Sequence, residues 1–340
     1  MAYSHHYNAD RLSSQAEATA AVCMENLSNW MPAVDEIRTW PEYTEQPLRV
    51  LPKLARKLGI QEIFVKDESK RFGTELGSFK ALGAPYSVYR ILAEEVHAKK
   101  GVWPLAAELR TDKYRDITQR VTVCVATDGN QGRGLAYGAQ IFGCRCVDYI
   151  HNHVSDGRAK RMMDLGAIVI RIDGEYEASV NRAKEDARMN GWYFVSSTSW
   201  SDFDNDVPQH VMNAYMVPAK VPRFVVVEPC EADCLLQSAK NGEARHDFIA
   251  VPDSVAVEGM KALANGHEGD VPVVCGESSA ASMGVILGSG SDPTLREKLG
   301  LDENSQVVIF GLEGATDPEI YESLVGRSPA AVFEAQDRFA

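Results

Sequence analysis

The chain has 340 residues, 45% hydrophobic and 24% charged, a globular composition that excludes a disordered chain, a collagen-like repeat or a coiled-coil rod and leaves room for two lobes or one large α/β unit. Its 48 acidic against 35 basic residues give a formal net charge of -13, spread along the sequence, which argues against nucleic acid or an anionic membrane as partner. No run approaches the about 18 continuous apolar residues of a spanning helix, and the opening MAYSHHYNAD lacks the basic-then-apolar pattern of a signal peptide, so a cytoplasmic protein is expected.

In chain order, apolar strands are predicted at IFVKD (63–67), VTVCVAT (121–127), CVDYI (146–150), AIVIRI (167–172), YFVSS (193–197), RFVVVE (223–228) and VVIFGLEG (307–314). Between them FKALGAPYSVYRILAEEV, RGLAYGAQIFG, AKRMMDLG and ASVNRAKEDARMNG carry helical spacing and end near glycine, the usual stop residue. Strands alternating with helices predict an α/β fold with mostly parallel sheets covered on both faces. The run EEVHAKKG (94–101) reads as a solvated helix end whose lysines suit the dipole. The tail ESLVGRSPAAVFEAQDRFA reads as a helix docking on the body or on a partner subunit.

The odd total of seven cysteines, with Cys124 and Cys275 inside apolar runs, predicts reduced thiols. The pairs Cys144/Cys146 and Cys230/Cys234 lack structural-zinc spacing, and His151 and His153 read as neutral surface histidines. Trp30, Trp40, Trp103, Trp192 and Trp200 are scattered and are expected as core or lobe-contact anchors.

Sites in such sheets lie beyond the carboxyl ends of strands, where turns feed helix N-termini. One such turn, KRFGTELGS, places Lys80 in the first turn of the helix opening at Phe79. There the positive end of the helix dipole disfavours an ammonium and favours a free amine, the nucleophile of Schiff-base chemistry; the plain alternative is a lysine reaching to water. The other turn, TDGNQGRG (127–134), offers glycines and free backbone N–H groups to an anion. It matches neither the P-loop nor the G-x-G-x-x-G fingerprint. Asp128 and Asn130 are its polar side chains, either directed at a ligand or capping the helix.

Together FVKDESKRFG-x3-GSFKALGA and ATDGNQGRGLAYGAQIFG resemble the fold-type II enzymes that use pyridoxal 5'-phosphate, tryptophan synthase beta-like in architecture, and within them the diaminopropionate ammonia-lyases. The resemblance runs on through MMDLGAIVIRID, GWYFVSSTSW, VVVEPCEADC, GESSAASMGVIL and LEGATD. It implies two lobes, a larger one of residues 1–83 and 203–340 and a smaller one of 84–202, and a homodimer. It also implies a lyase that removes an α-proton and a β-substituent from a small amino acid. Lys80 then holds the cofactor as a Schiff base next to Phe79, and Asn130 hydrogen-bonds the cofactor's phenolic oxygen. Asp128 is the acid/base group, with Ser78, Thr127 and Ser197 near the substrate.

The chain departs from this pattern in several places. Where the lyases carry a glycine-rich phosphate loop, only PAKVP (218–222) stands, and the stretch between SAKNGEARHD and VPDSVAVEGM is short. Gly311 or Leu312 occupies the place of a hydroxyl or thiol near the pyridine nitrogen, and Ser197 replaces an acid. Three readings follow: a lyase that binds the cofactor phosphate elsewhere, such as at GESSAASMG (276–284); β-replacement on a bulkier amino acid; or a cofactor-free descendant whose Lys80, Asp128 and Asn130 form a binding or acid/base pocket.

Overall fold

The computed structural model describes residues 4–6, 27–197, 210, 211, 214, 225–229 and 247–339. Two compact units emerge, one built from residues 1–25, 45–70 and 218–340 and the other from residues 26–44 and 71–217.

In the first unit the strand Gln306–Gly311 pairs in parallel with Glu62–Asp67, and Leu48–Val50 adds an antiparallel edge. A separate three-stranded sheet joins Val225–Pro229 in parallel to Asp247–Val251, with Ser4–His6 antiparallel on its outer side. The fully buried Ile63, Val65, Met260, Val273 and Cys275 form the core around the first of these sheets. The C-terminal helix Pro329–Asp337 docks within this unit, where the Gln336 amide donates to Asp67 Oδ2 and to the Pro272 carbonyl, both at 3.1 Å.

The second unit carries a fully parallel sheet in the order Ile168–Ile172, Arg145–His151, Thr122–Ala126, Tyr193–Phe194. Strand Thr122–Ala126 is buried along its whole length, as a central parallel strand covered on both faces requires. On one face Val123, Val125, Cys146 and Ile150 pack with Leu135, Ala139 and Phe142 of helix Asn130–Phe142 and with Ile91 and Leu92 of helix Lys80–Lys100. On the other face Cys124, Val147 and Tyr149 pack with Val180, Ala183 and Ala187 of helix Tyr176–Asn190.

Helices Lys80–Lys100 and Asn130–Phe142 approach unusually closely. A Cβ on Gly138 would lie 2.7 Å from Pro85 Cα, and one on Gly134 would lie 3.1 Å from the Lys80 carbonyl oxygen. Only glycine lets two backbones meet at this distance. That contact holds the start of the lysine helix in the second unit, which covers residues 26–44 and 71–217 where 84–202 was expected.

Other expectations also change. YFVSS is a strand over Tyr193–Phe194 alone, and Leu48–Val50 and Asp247–Val251 were absent from the predicted set. Trp40 is a core anchor at 3% exposure, but Trp103 is 57% exposed and stacks on His97 with ring centroids 4.3 Å apart. It follows the helix end at Gly101, where it has a neighbouring ring to lie on and no core to enter. The Trp30 side chain and Trp200 lie outside the described residues, as do Cys230, Cys234 and the shortened stretch 218–222. Cys124, Cys144, Cys146 and Cys275 are free thiols, and burial pushes Cys124 and Cys144 up to about 12. Among the described residues no helix is long and apolar enough to cross a membrane, and no cluster of three or more His, Cys, Asp or Glu side chains forms a metal site.

Candidate active site

Lys80 is the first residue of its helix and follows Phe79, whose backbone is already helical at φ -57°, ψ -26°. The preceding loop TELGS turns at Gly77, with φ 43°, a left-handed conformation suited to glycine. Ser78 is 1% exposed, and its Oγ accepts the Lys80 backbone N–H at 3.3 Å. Lys80 and Phe79 are half-buried.

The second turn leaves the carboxyl end of strand Thr122–Ala126. Thr127 Oγ1 accepts the Gly129 N–H at 3.3 Å, a local hydroxyl-to-backbone bond that closes the turn. Gly129 is the helix N-cap and supplies no side-chain bond. Among the described residues Asp128 is not the cap of this helix. Its Oδ2 instead takes a 2.6 Å hydrogen bond from Arg158 Nη1, on helix Asp156–Asp164, and both side chains are about one-third exposed. Asn130 is buried, and its Oδ1 accepts from Arg133 Nη1 at 3.2 Å while Arg133 Nη2 donates to the Leu76 carbonyl at 3.1 Å. A guanidinium has no acceptor, so the Asn130 carbonyl side must face Arg133 and its NH2 side faces away. Arg133 thereby ties the loop before Lys80 to the turn after Thr127.

Ser197 is half-buried and follows strand Tyr193–Phe194. Gln131 Nε2 reaches the Val195 carbonyl at 3.4 Å, and the Val195 N–H donates to the Cys124 carbonyl at 2.8 Å. These two bonds bring the Ser197 segment to the carboxyl end of the strand that feeds the Thr127 turn.

The second unit thus brings together Ser78, Phe79, Lys80, Thr127, Asp128, Asn130 and Ser197. Three partners escaped the sequence reading: Arg158, Arg133 and Asp148, a fully buried acid whose Oδ1 accepts the Thr127 N–H at 3.2 Å. An acid in the middle of the apolar strand CVDYI was the available signal for Asp148. In the first unit, Gly311 ends its strand, a Cβ there would lie 3.7 Å from Cys275 Sγ, and the buried Ser279 Oγ accepts the Leu312 N–H at 3.0 Å. The GESSAASMG turn accordingly opens helix Glu277–Ser289 with one of its serines committed to the backbone.

The sequence model of the family described as "pyridoxal-phosphate dependent enzyme" matches residues 39–215. Diaminopropionate ammonia-lyase of Escherichia coli strain K12 is 29% identical over 362 aligned residues, spanning 85% of this chain and 89% of the relative. The crystal structure of the Escherichia coli diaminopropionate ammonia-lyase in complex with D-serine superposes with a TM-score of 0.83 at 26% identity, covering 95% of this chain and 97% of the other. The same lyase in complex with an aminoacrylate–pyridoxal phosphate reaction intermediate gives a TM-score of 0.80 at 25% identity, with coverage of 95% and 97%.

Proposed function

The chain belongs to the pyridoxal-phosphate dependent enzymes, with the two-lobed α/β fold of fold type II, and we propose that Lys80 is the residue that holds the cofactor. It is a lyase of the ammonia-lyase type, which removes an α-proton and a β-substituent from a small amino acid and yields a 2-oxo acid and ammonia. The observation that carries the Lys80 assignment is the close approach of its helix to the turn helix, with the Lys80 carbonyl 3.1 Å from a Cβ built on Gly134.

The donor set fits the cofactor. A primary amine opens one helix, and an amide with its NH2 side turned away from Arg133 opens the other. When bound, the cofactor supplies the electron sink that makes the α-proton removable. The chain's own residues do the rest. The Lys80 amine would take the α-proton on one face. Asp128 serves the opposite stereoisomer: a guanidinium at 2.6 Å is a partner for a carboxylate, so Asp128 is presented as a proton acceptor. Ser78 and Thr127 accept backbone bonds through their oxygens, which leaves each hydroxyl proton to donate to a substrate carboxylate.

Substrate choice follows from Ser197. A second substrate ammonium next to a neutral hydroxyl lacks the ion pair that offsets its desolvation, a loss of several kcal/mol. A small amino acid with a neutral β-substituent, such as serine, is the substrate we favour over 2,3-diaminopropionate. A cytoplasmic homodimer completes the reading.

The test is borohydride reduction of the purified chain supplemented with pyridoxal phosphate, followed by peptide mapping. The adduct should fall on Lys80, and labelling of a different lysine, or of none, sinks the assignment.

A further inference from the structure

Asp148 is fully buried at the centre of strand Arg145–His151, beneath the turn that carries Asp128 and Asn130. Its Oδ1 accepts the Thr127 N–H at 3.2 Å. Its Oδ2 has no hydrogen-bond partner among the described residues and occupies the space that a side chain at position 132 would need. A Cβ on Gly132 would lie 2.1 Å from Oδ2 and 2.9 Å from Met162 Sδ. Gly132 is therefore required by the carboxyl below it, and the carboxyl in turn fills the hollow under the first turn of helix Asn130–Phe142.

We propose that Asp148 is a positioning residue that holds the Thr127–Asn130 turn as a neutral acid, and that loss of its proton sets an alkaline limit on the site. Burying a carboxylate with one oxygen unpaired costs far more than burying the neutral acid. Among the described residues, none of the charged groups that act on it is a cation. Electrostatically the carboxyl acts with Asp128 of the turn, Cys146 of its own strand, Cys124 on the opposite face of strand Thr122–Ala126, and Tyr176 at the start of helix Tyr176–Asn190. Helix Asp156–Asp164 contributes the uncharged Met162, and the Arg158 on that helix is paired with Asp128. The N-terminus of helix Asn130–Phe142 favours negative charge, yet none of its N–H groups bonds Oδ2. Burial, then the neighbouring Asp128, push the Asp148 carboxyl well above the usual carboxylate range, against the backbone N–H groups of Thr127 and Tyr149.

The direction of the pH effect follows. With burial holding the carboxyl well above the usual carboxylate range, the proton is lost as pH rises and not as it falls. When it goes to solvent, a second anion forms beside Asp128 and the turn has to open to hydrate it. Asparagine keeps an acceptor for the Thr127 N–H and cannot ionise, whereas valine removes the acceptor.

The experiment compares wild type, Asp148→Asn and Asp148→Val in two arms. In the first, kcat/KM for ammonia release from serine is followed from about pH 6 to about pH 10; this arm rests on the lyase reading above. Wild type should lose activity on an alkaline limb, Asp148→Asn should keep neutral-pH activity within about 3-fold and hold it to about one pH unit higher, and Asp148→Val should lose about 10-fold or more at every pH. In the second arm, hydrogen exchange of the 127–134 segment is measured by mass spectrometry without substrate. Corrected for the intrinsic pH dependence, exchange in wild type should accelerate across the same alkaline range, and in Asp148→Asn it should not. Superimposable pH profiles or equal alkaline exchange in wild type and Asp148→Asn overturn the proposal, even where Asp148→Val does not fold. A chain without serine lyase activity that still shows the exchange difference refutes the substrate assignment and upholds the role of Asp148.

Discussion

Arg158 Nη1 stands 2.6 Å from Asp128 Oδ2, across 30 residues of sequence. The pair fixes the acid at the entrance of the turn helix by a charge-assisted bond, and it replaces a helix-capping role with an electrostatic one. Asp128→Asn keeps the shape and removes the proton acceptor, so turnover on the stereoisomer it serves should fall about 100-fold or more with the fold intact. Arg158→Met should lower turnover in the same direction by a smaller factor and leave thermal stability within about 1 kcal/mol, because a pair about one-third exposed contributes little to folding. Full activity of Asp128→Asn on both stereoisomers of serine contradicts the assignment.

Ser197→Asp should shift preference toward 2,3-diaminopropionate, since a carboxylate restores the partner that a second substrate ammonium needs. Steady-state kcat/KM for diaminopropionate, serine, threonine and O-substituted serines reads this directly. A wild type that already favours diaminopropionate by a wide margin shows either that Ser197 does not stand where the ammonium binds or that a different acid, such as Asp202 or Asp204 outside the described residues, receives it.

Gly138→Ala should destabilise the second unit. The substitution gains about 1 kcal/mol of helix propensity, but its Cβ would lie 2.7 Å from Pro85 Cα, and overpacking against backbone costs about 1–3 kcal/mol. Denaturant unfolding should show a net loss. Turnover should fall with it as the Lys80 helix is pushed off the turn helix, and unchanged stability and turnover would falsify the idea that this contact sets the site.

Asp186 carries a pH-dependent share of stability. Burial works against its anion, but the 2.6 Å bond from Tyr149 Oη, the 2.9 Å bond from Arg182 Nε and the charge of that arginine outweigh it and hold the carboxyl below its usual range. A group depressed in the folded state stabilises above its unfolded value and loses that contribution as pH falls through the folded one. Wild type should therefore lose stability relative to Asp186→Asn as the pH drops from about 5 to about 3. Equal acid-unfolding midpoints for the two proteins contradict this.

The elements that formed the sheet cores were legible because each is an apolar run ended by glycine or a polar turn, as in VTVCVAT before TDGN. Leu48–Val50 escaped because a three-residue edge strand with two exposed positions carries no periodic signal. YFVSS looked like a full strand because its apolar half continues into two serines, whereas the regular strand covers Tyr193–Phe194. The helix starts at Lys80 and Asn130, and the turn carrying Asp128 before the second of them, were readable from the glycine and polar turns that precede each helix. The partners of Arg158 and Asp148 were not, because an ion pair across 30 residues and a hydrogen bond across 21 exist only after the strands are laid side by side; the acid within CVDYI marked Asp148 as unusual without naming its partner.

The glycine contact between the two helices separates what can vary in this enzyme from what cannot. Side chains at 128, 158 and 197 are free to be exchanged for new substrates, because none of them sets the spacing between the amine-bearing helix and the turn. That spacing is written in two missing β-carbons, at 134 and 138. A lineage could retool its specificity many times over while those two positions stay bare.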